Sequence, residues 1–598
     1  MRFFIPLISI FSFSLLASGR VISKRANNTQ ILNPDVDAFI TNLFALWDSS
    51  AGAAVAVVRM DEQGNWLVET KGYGVAKADG TKVDENTIFA IGSNSKLFDV
   101  LATGLLISNE SLTPQITWTT KISSIIPNWE LMDSIASSES TITDLMSHRT
   151  GLPAHDFAFF LFNDTFSAII ERLQYLKPSL GFRDAAQYNN IMYAILSYLP
   201  TALLPNKPLF ARYVKEHIID PLGLNSTTYS FAIANATGNM ADGFAREAIN
   251  ITENPLGPGT TRVLPFLFPT ETEDGSTISG AGGILSTATD MARWLQMLIS
   301  NGQHPTTNAT IVPAAVFDKL ATGVTVWVGN DDFGQFPGAT ELSPAVYSGA
   351  QSLIAYRGHD MIEHEGALPG YHSRITRFPF DNAGIAILTN DDSFGPLLKE
   401  VIKFRLADEI FGLEPIDWNS RYQAAARGIE LESAAETSTA TSANASLPLS
   451  LSTVLGTYRN LGYGADIELC GTIAGVTQSS TCTTLVAHLN NTFPAQIAAA
   501  DLVWAWNRSL ADYVTLKHFT GALFNVSESW ISMSTGNSSA PFWAYDTKLE
   551  NNVAEFVVNS GKVAGFGLRG GVWGAAEFVG EPQGPTVEDR SEVWYAAV

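Results

Sequence analysis

The 598-residue chain carries 46% hydrophobic, 11% aromatic and 16% charged residues, enough apolar material for large buried cores and too much for a disordered or fibrous protein. Its 36 basic against 59 acidic residues leave a formal net charge of -23, which offers phosphate backbones and anionic lipid surfaces no general attraction and argues against nucleic acid and membrane as partners. Its 2 cysteines exclude a disulfide scaffold and a thiolate metal cluster, leaving one candidate bridge, Cys470 to Cys482.

At roughly 150 residues per domain the length admits about four domains, and two or three are expected because single catalytic domains often exceed about 250 residues. Arg2, the apolar run Phe3 to Leu16 and the small residues Ala17-Ser18-Gly19 read as a secretory signal, too short to span a bilayer comfortably. Lys24-Arg25 reads as a dibasic processing site. Glycosylation sequons begin at Asn27, Asn109, Asn163, Asn225, Asn235, Asn250, Asn308, Asn444, Asn490, Asn507, Asn525 and Asn537, as expected of a secreted, extracellular glycoprotein. No later apolar stretch is long enough to span a membrane, and the charged segment Glu588 to Val598 is unlike a lipid-anchor signal.

Next along the chain, Ala53 to Val58 and Trp66 to Thr70 flank Asp61-Glu62-Gln63-Gly64-Asn65 and predict a hairpin. Gly92-Ser93-Asn94-Ser95-Lys96 follows a strand-like Thr87 to Ile91 and opens a helix, Lys96 to Ile107, that is apolar nearly all round. A serine at a helix N-terminus has unpaired N–H groups and the positive dipole end beside it, and a lysine three residues later shares its face. In a water-poor cleft that amine loses proton affinity and can accept the serine proton, or it can hold a neighbouring base in its ionised form. S-x-x-K alone occurs by chance about once or twice in such a chain, so weight falls on its companions.

The first companion is Tyr188-Asn189-Asn190. A phenol beside an ammonium is expected to have a lowered pKa and to shuttle protons, while an amide two residues on can hold a substrate carbonyl or amide. Thr287-Ala288-Thr289-Asp290 then predicts an N-cap for the helix Met291 to Ile299. The second companion is His364-Glu365-Gly366-Ala367, ahead of the strand pair Ser373 to Phe378 and Gly384 to Thr389. Here a basic side chain would lie along a strand edge and glycine would let a substrate backbone approach. His364 has no zinc-motif partner histidine three residues on, and no metal or organic cofactor is expected.

Between about Gln423 and Leu449 the Ser/Thr/Ala-rich text lacks apolar periodicity and reads as a linker. Beyond it come short strands: Thr483 to Ala487, Leu502 to Trp506, and the hairpin Glu555 to Val558 turning at Asn559-Ser560-Gly561 into Lys562 to Phe566. These predict an all-β barrel or sandwich of about 150 residues. In a secreted protein both cysteines are expected to pair within it.

Taken in order, S-x-x-K, Y-x-N and H-x-G resemble the serine β-lactamase and penicillin-binding protein family, in its class C-like branch of β-lactamases, esterases and D-aminopeptidases. Asp144 to Pro153, Asp220 to Leu224 and Gly280 to Thr287 resemble further segments of that family, and the likeness covers about Asp35 to Leu413. The resemblance implies an α+β (α/β) serine β-lactamase-like fold, an antiparallel sheet flanked by helices, with the all-β domain appended. It makes Ser93 the acylated nucleophile, Lys96 and Tyr188 the proton-transfer pair and Asn190 a substrate holder. His364 would stabilise developing charge, Gly366 would give the substrate access, and the N–H groups of Ser93 and Ala367 would form the oxyanion hole. Histidine replaces the lysine of the lactamase third motif and Glu365 its hydroxyl, so β-lactam carboxylates are expected to be disfavoured.

The expected organisation is a signal peptide (1–19), a propeptide and N-terminal segment (20–30), a catalytic domain (31–415), a linker (416–450) and the β domain (451–598). The expected activity is a secreted serine hydrolase acting through an acyl-enzyme on small esters, lactones, thioesters or amides. Two alternatives accompany it: an acyltransferase or esterase of secondary metabolism, which differs only in the acceptor, and a non-catalytic binding protein on the same fold.

Overall fold

The computed structural model describes residues 30–159, 164–247, 249–250, 253–254, 256–257, 259–329, 340–439, 450–473, 475–533, 542–546, 552–575 and 579–598. The signal and processing expectations, and the sequons at Asn27, Asn163, Asn444 and Asn537, lie outside the described residues. Among the described residues no helix is long and apolar enough to cross a membrane.

The N-terminal region, expected to be the catalytic domain, is built on an 8-stranded antiparallel sheet. Its strands are β1 (Gly52–Met60), β2 (Trp66–Gly74), β3 (Thr325–Val328), β4 (Ala345–Tyr347), β5 (Ser352–Tyr356), β6 (His359–Leu368), β7 (Tyr371–Phe378) and β8 (Ala383–Thr389). They lie in the order β2-β1-β8-β7-β6-β5-β4-β3. The continuous apolar run of β1 has a direct cause, because both faces of the sheet are covered. Ala54, Ala56 and Val58 enter one core while Ala53, Val55 and Val57 enter the other. Helix α4 (Ala288–Ile299) packs on the first face, and α1 (Pro34–Leu46) and α5 (Gly395–Phe411) cover the second. The expected hairpin is present as β1 and β2, paired from Gly52 with Gly74 to Met60 with Trp66.

The helix predicted after Gly92 is α2 (Ser95–Ile107), buried along almost its whole length. The Thr287 hydroxyl caps α4 by accepting the Asp290 N–H at 3.1 Å. The Asp290 carboxylate does not return to the cap; it accepts from Ser226 N–H and the Thr227 hydroxyl, both at 2.8 Å, and so ties α4 to the preceding turn.

The C-terminal region forms a barrel from β9 (Gly456–Arg459), β10 (Ile467–Gly471), β11 (Leu502–Arg508), β12 (Ala511–Thr520), β13 (Leu523–Met533), β15 (Val553–Asn559), β16 (Lys562–Arg569) and β17 (Val593–Ala597), with β14 (Phe542–Asp546) paired outside the ring on β13. Pairing of β12 with β13 closes the circle and removes the exposed edges an open sheet would carry. Aromatics fill the interior, with Tyr458, Trp504, Phe556, Phe566 and Tyr595 all buried.

Two readings of this half change. Thr483 to Ala487, expected as a strand, lies in helix α7 (Ser480–Thr492). Ser479 caps that helix by accepting the Cys482 N–H at 3.0 Å, and Cys482, Leu485, Val486 and Leu489 recur on one face to pack with Phe493, Ile497 and Val503. That helical period outweighs the strand preference of the β-branched residues. The expected linker begins instead with helix α6 (Trp418–Thr439), whose first turns bury Trp418, Tyr422 and Ala426 against the catalytic core; residues 440–449 lie outside the described residues.

Cys470, at the end of β10, is bonded to Cys482 in the first turn of α7 across a separation of 12 residues. The double substitution of Cys470 and Cys482 by serine is expected to cost about 3 kcal/mol, read as a fall in denaturant midpoint, from the loop entropy returned to the unfolded chain. A midpoint unchanged by the substitution would remove the bridge from the forces holding the barrel.

Candidate active site

Ser93 lies on the short turn Gly92–Asn94 that leads into α2. Its hydroxyl oxygen accepts from Lys96 Nζ at 2.9 Å and from the Tyr188 hydroxyl at 2.7 Å. Lys96 is fully buried, and its other two donors go to Asn190 Oδ1 and the Ala281 carbonyl, both at 2.7 Å. Three acceptors therefore hold the amine, with the rings of Tyr188 and Tyr193 4.9 and 5.3 Å away. Burial pulls the Lys96 pKa down to about 7, against the opposing pull of Asp156 and Asp99.

The Tyr188 expectation reverses. Burial pushes its phenol well above the ordinary value, Tyr347, Asp156 and Glu365 push the same way, and only the bond to Ser93 opposes them. Removing water penalises the charged phenolate, and at this site that cost outweighs the one hydrogen bond that favours it.

Asn190 opens helix α3 (Asn190–Ser197), which the side chain of Asn189 caps by accepting Ile191 N–H at 2.7 Å and Met192 N–H at 3.2 Å. The Asn190 amide, expected to hold substrate, is engaged at both ends inside the protein. Its oxygen accepts from Lys96, and its nitrogen donates to Asp156 Oδ1 at 2.9 Å. A half-buried edge of the residue still faces the cavity.

Opposite Ser93 runs β6. Gly92 has φ +51, and a Cβ there would stand 2.6 Å from Ala367 N. A Cβ on Gly366 would stand 1.8 Å from the Ile91 carbonyl oxygen and 2.5 Å from Ser373 Oγ. Two glycines thus allow strand and turn to touch backbone to backbone, bringing Ala367 N–H beside the turn that carries Ser93. Ser373 locks the contact: its hydroxyl donates to the Ile91 carbonyl and accepts from Asn94 Nδ2, each at 2.8 Å.

His364 is buried, in contact with the Tyr347 hydroxyl through Nε2 at 3.0 Å and with the Glu365 carbonyl through Nδ1. Burial first, and Lys96 second, pull its pKa down to about 4. It faces the site as a neutral imidazole, so the expected stabilisation of developing charge can come from a dipole and not from a fixed cation. The Glu365 carboxylate, read from sequence as a repulsive charge, is met by Lys399 at 3.0 Å and Arg374 at 3.4 Å. Those bases belong to a network with Glu363, Glu400 and Lys403, in which three acids answer three bases and little unopposed charge remains.

Ser93, Tyr188 and Asn190 open into a cavity of about 850 Å³, walled near Ser93 by Trp327, Tyr347 and His364 and farther out by the ionic network. Sequence reasoning passed over Asp156, Tyr347 and the Ala281 carbonyl. Only the last had a signal, since Gly280 to Thr287 stood out as a segment without a role.

A beta-lactamase family model matches residues 39–407. The unguisins hydrolase of Aspergillus campestris is 27% identical over 414 residues, 67% of this chain and 70% of that protein. The unguisins hydrolase of Aspergillus violaceofuscus is 27% identical over 409 residues, 66% of this chain and 68% of that protein. The N-acetylmuramyl-L-alanine amidase of Bacillus subtilis is 24% identical over 425 residues, 64% of this chain and 89% of that protein.

Proposed function

We propose, starting from a chain that belongs to the beta-lactamase family and is a serine hydrolase of it, a secreted enzyme of the class C type that cleaves small neutral esters, lactones, thioesters or amides through an acyl-enzyme on Ser93. The observation that carries this reading is the fully buried Lys96 amine 2.9 Å from Ser93 Oγ, with the Tyr188 hydroxyl 2.7 Å from the same oxygen. With its pKa near 7, Lys96 is partly neutral at neutral pH and accepts the Ser93 proton as Oγ attacks the acyl carbon. The N–H groups of Ser93 and Ala367 receive the developing oxyanion. Tyr188, kept as a neutral phenol, gives its proton to the leaving oxygen, sulfur or nitrogen and is recharged by the ammonium of Lys96. Water then retraces the sequence and frees Ser93.

The class C type rests on the order Ser93-x-x-Lys96, Tyr188-x-Asn190, His364-x-Gly366. Neutral substrates follow from a third-motif position that offers a neutral imidazole in place of a cation. Amides are included because one relative is named as an amidase. Secretion and glycosylation are supported by the N-terminal apolar run and the Cys470–Cys482 bond, and by the sequon asparagines: among the described ones, Asn109, Asn225, Asn235, Asn250, Asn308, Asn490, Asn507 and Asn525, none is buried.

A fluorophosphonate is expected to label Ser93 in the wild type and to leave Ser93→Ala unlabelled, with turnover of p-nitrophenyl acetate lost in parallel. An adduct of equal yield in Ser93→Ala, or none in either protein, would sink the reading.

A further inference from the structure

Beyond Leu152-Pro153 the chain passes through His155 into the single turn Asp156–Phe159. His155 is left-handed, with φ +45, a conformation that a residue bearing a side chain keeps only where its surroundings over-determine it. Those surroundings come largely from the barrel. The His155 N–H donates to the Trp573 carbonyl at 2.8 Å. Nε2 faces the Lys177 carbonyl at 2.8 Å and must donate to it, which fixes the tautomer and leaves Nδ1 as an acceptor. The Tyr463 hydroxyl, 2.8 Å from Nδ1, supplies that proton across 308 residues of chain. Lys177 is itself held by the Ser591 carbonyl at 2.9 Å and the Asp589 carbonyl at 2.6 Å, and Phe157 stacks on Trp506 at 4.8 Å. Burial keeps the imidazole neutral, with a pKa of about 4, so this grip persists across the working range.

The next residue, Asp156, accepts from Asn190 Nδ2 at 2.9 Å, and Asn190 in turn accepts from Lys96 at 2.7 Å. We propose that Tyr463 of the C-terminal barrel is a positioning residue of the active site, acting through His155 and Asp156 on the Asn190–Lys96 pair. The barrel is then a structural part of the catalytic apparatus, and the assignment rests on the reading of Lys96 as the proton acceptor. The titratable groups facing Lys96 are Asp99, on its own helix, and Asp156, Tyr188, Tyr193, His148 and His364. Of these, Asp156 directly follows the residue that Tyr463 holds.

The test uses the full chain with Tyr463→Phe, Asp156→Asn and the double variant, assayed on p-nitrophenyl acetate and normalised to sites titrated with fluorophosphonate, so that a loss of folded protein does not register. Each single variant is expected to lower kcat by about tenfold or more with KM within about twofold, since a slight misplacement of a reacting group is costly. The acid limb of kcat/KM should move to lower pH in both, because the Asp156 charge that raises the Lys96 pKa is displaced in one and removed in the other. The double variant should be no worse than Asp156→Asn alone. Wild-type kcat and limb in Tyr463→Phe, or losses that multiply in the double variant, would overturn the proposal while wild-type labelling of Ser93 kept the hydrolase reading intact. Absence of labelling in the wild type would overturn both.

Discussion

Replacing Lys96 by methionine is expected to lower acylation of Ser93 by about a thousandfold or more, the loss that follows when a positioned base and its charge are both removed. Methionine approximates the lysine stem in length and asks for no acceptor, so the space that the buried Lys96 stem occupies stays filled. The pH profile carries the same inference. Burial lowers the Lys96 pKa to about 7; the amine is therefore protonated and inert as a base below that pH, and neutral above it. The kcat/KM of the wild type should rise with pH through about 7 and then level. Stopped-flow acylation across pH 5 to 9 reads both effects. A variant with tenfold or smaller loss, or a profile flat through pH 7, would show that another group takes the proton.

Gly366→Ala should be nearly as damaging for a different reason. The new methyl would lie 1.8 Å from the Ile91 carbonyl oxygen, a backbone atom held in place by the Ser373 hydroxyl at 2.8 Å. The strand must move away from the nucleophile turn, and Ala367 N–H moves with it. Losing one oxyanion donor costs about 100- to 1000-fold in kcat, while overpacking at such a contact costs about 1–3 kcal/mol of stability. Kinetics on the ester substrate, paired with thermal unfolding, separate the two losses. Activity within threefold of wild type would mean that Ala367 N–H lies outside the oxyanion site.

Much of the catalytic region could be read from the text because its signals are local. A serine and a lysine three apart on one helix face must be neighbours whatever else the chain does, and α2 places Lys96 Nζ 2.9 Å from Ser93 Oγ as that spacing requires. The hairpin of β1 and β2, the Thr287 cap and the β15–β16 hairpin are likewise short-range patterns. Readings failed where long-range packing outweighed local preference. Residues 483–487 have strand-like composition but are helical, because one face of α7 is drawn into a small core with Phe493, Ile497 and Val503. Trp418 and Tyr422 look like isolated aromatics at the start of a linker until α5 and the sheet are present to bury them.

The sequence by itself determined which residues are proposed to react, their order along the chain and the presence of two kinds of architecture, since these depend on residue type and short spacing. Only the tertiary structure decided their protonation states and their support. Whether Tyr188 is a phenol, His364 a neutral imidazole or Lys96 a base near pH 7 depends on how much water the fold removes from each, and burial is a sum over distant elements. The contact from Tyr463 to His155 spans 308 residues, so the barrel's hold on the active site exists only once both regions have folded against each other.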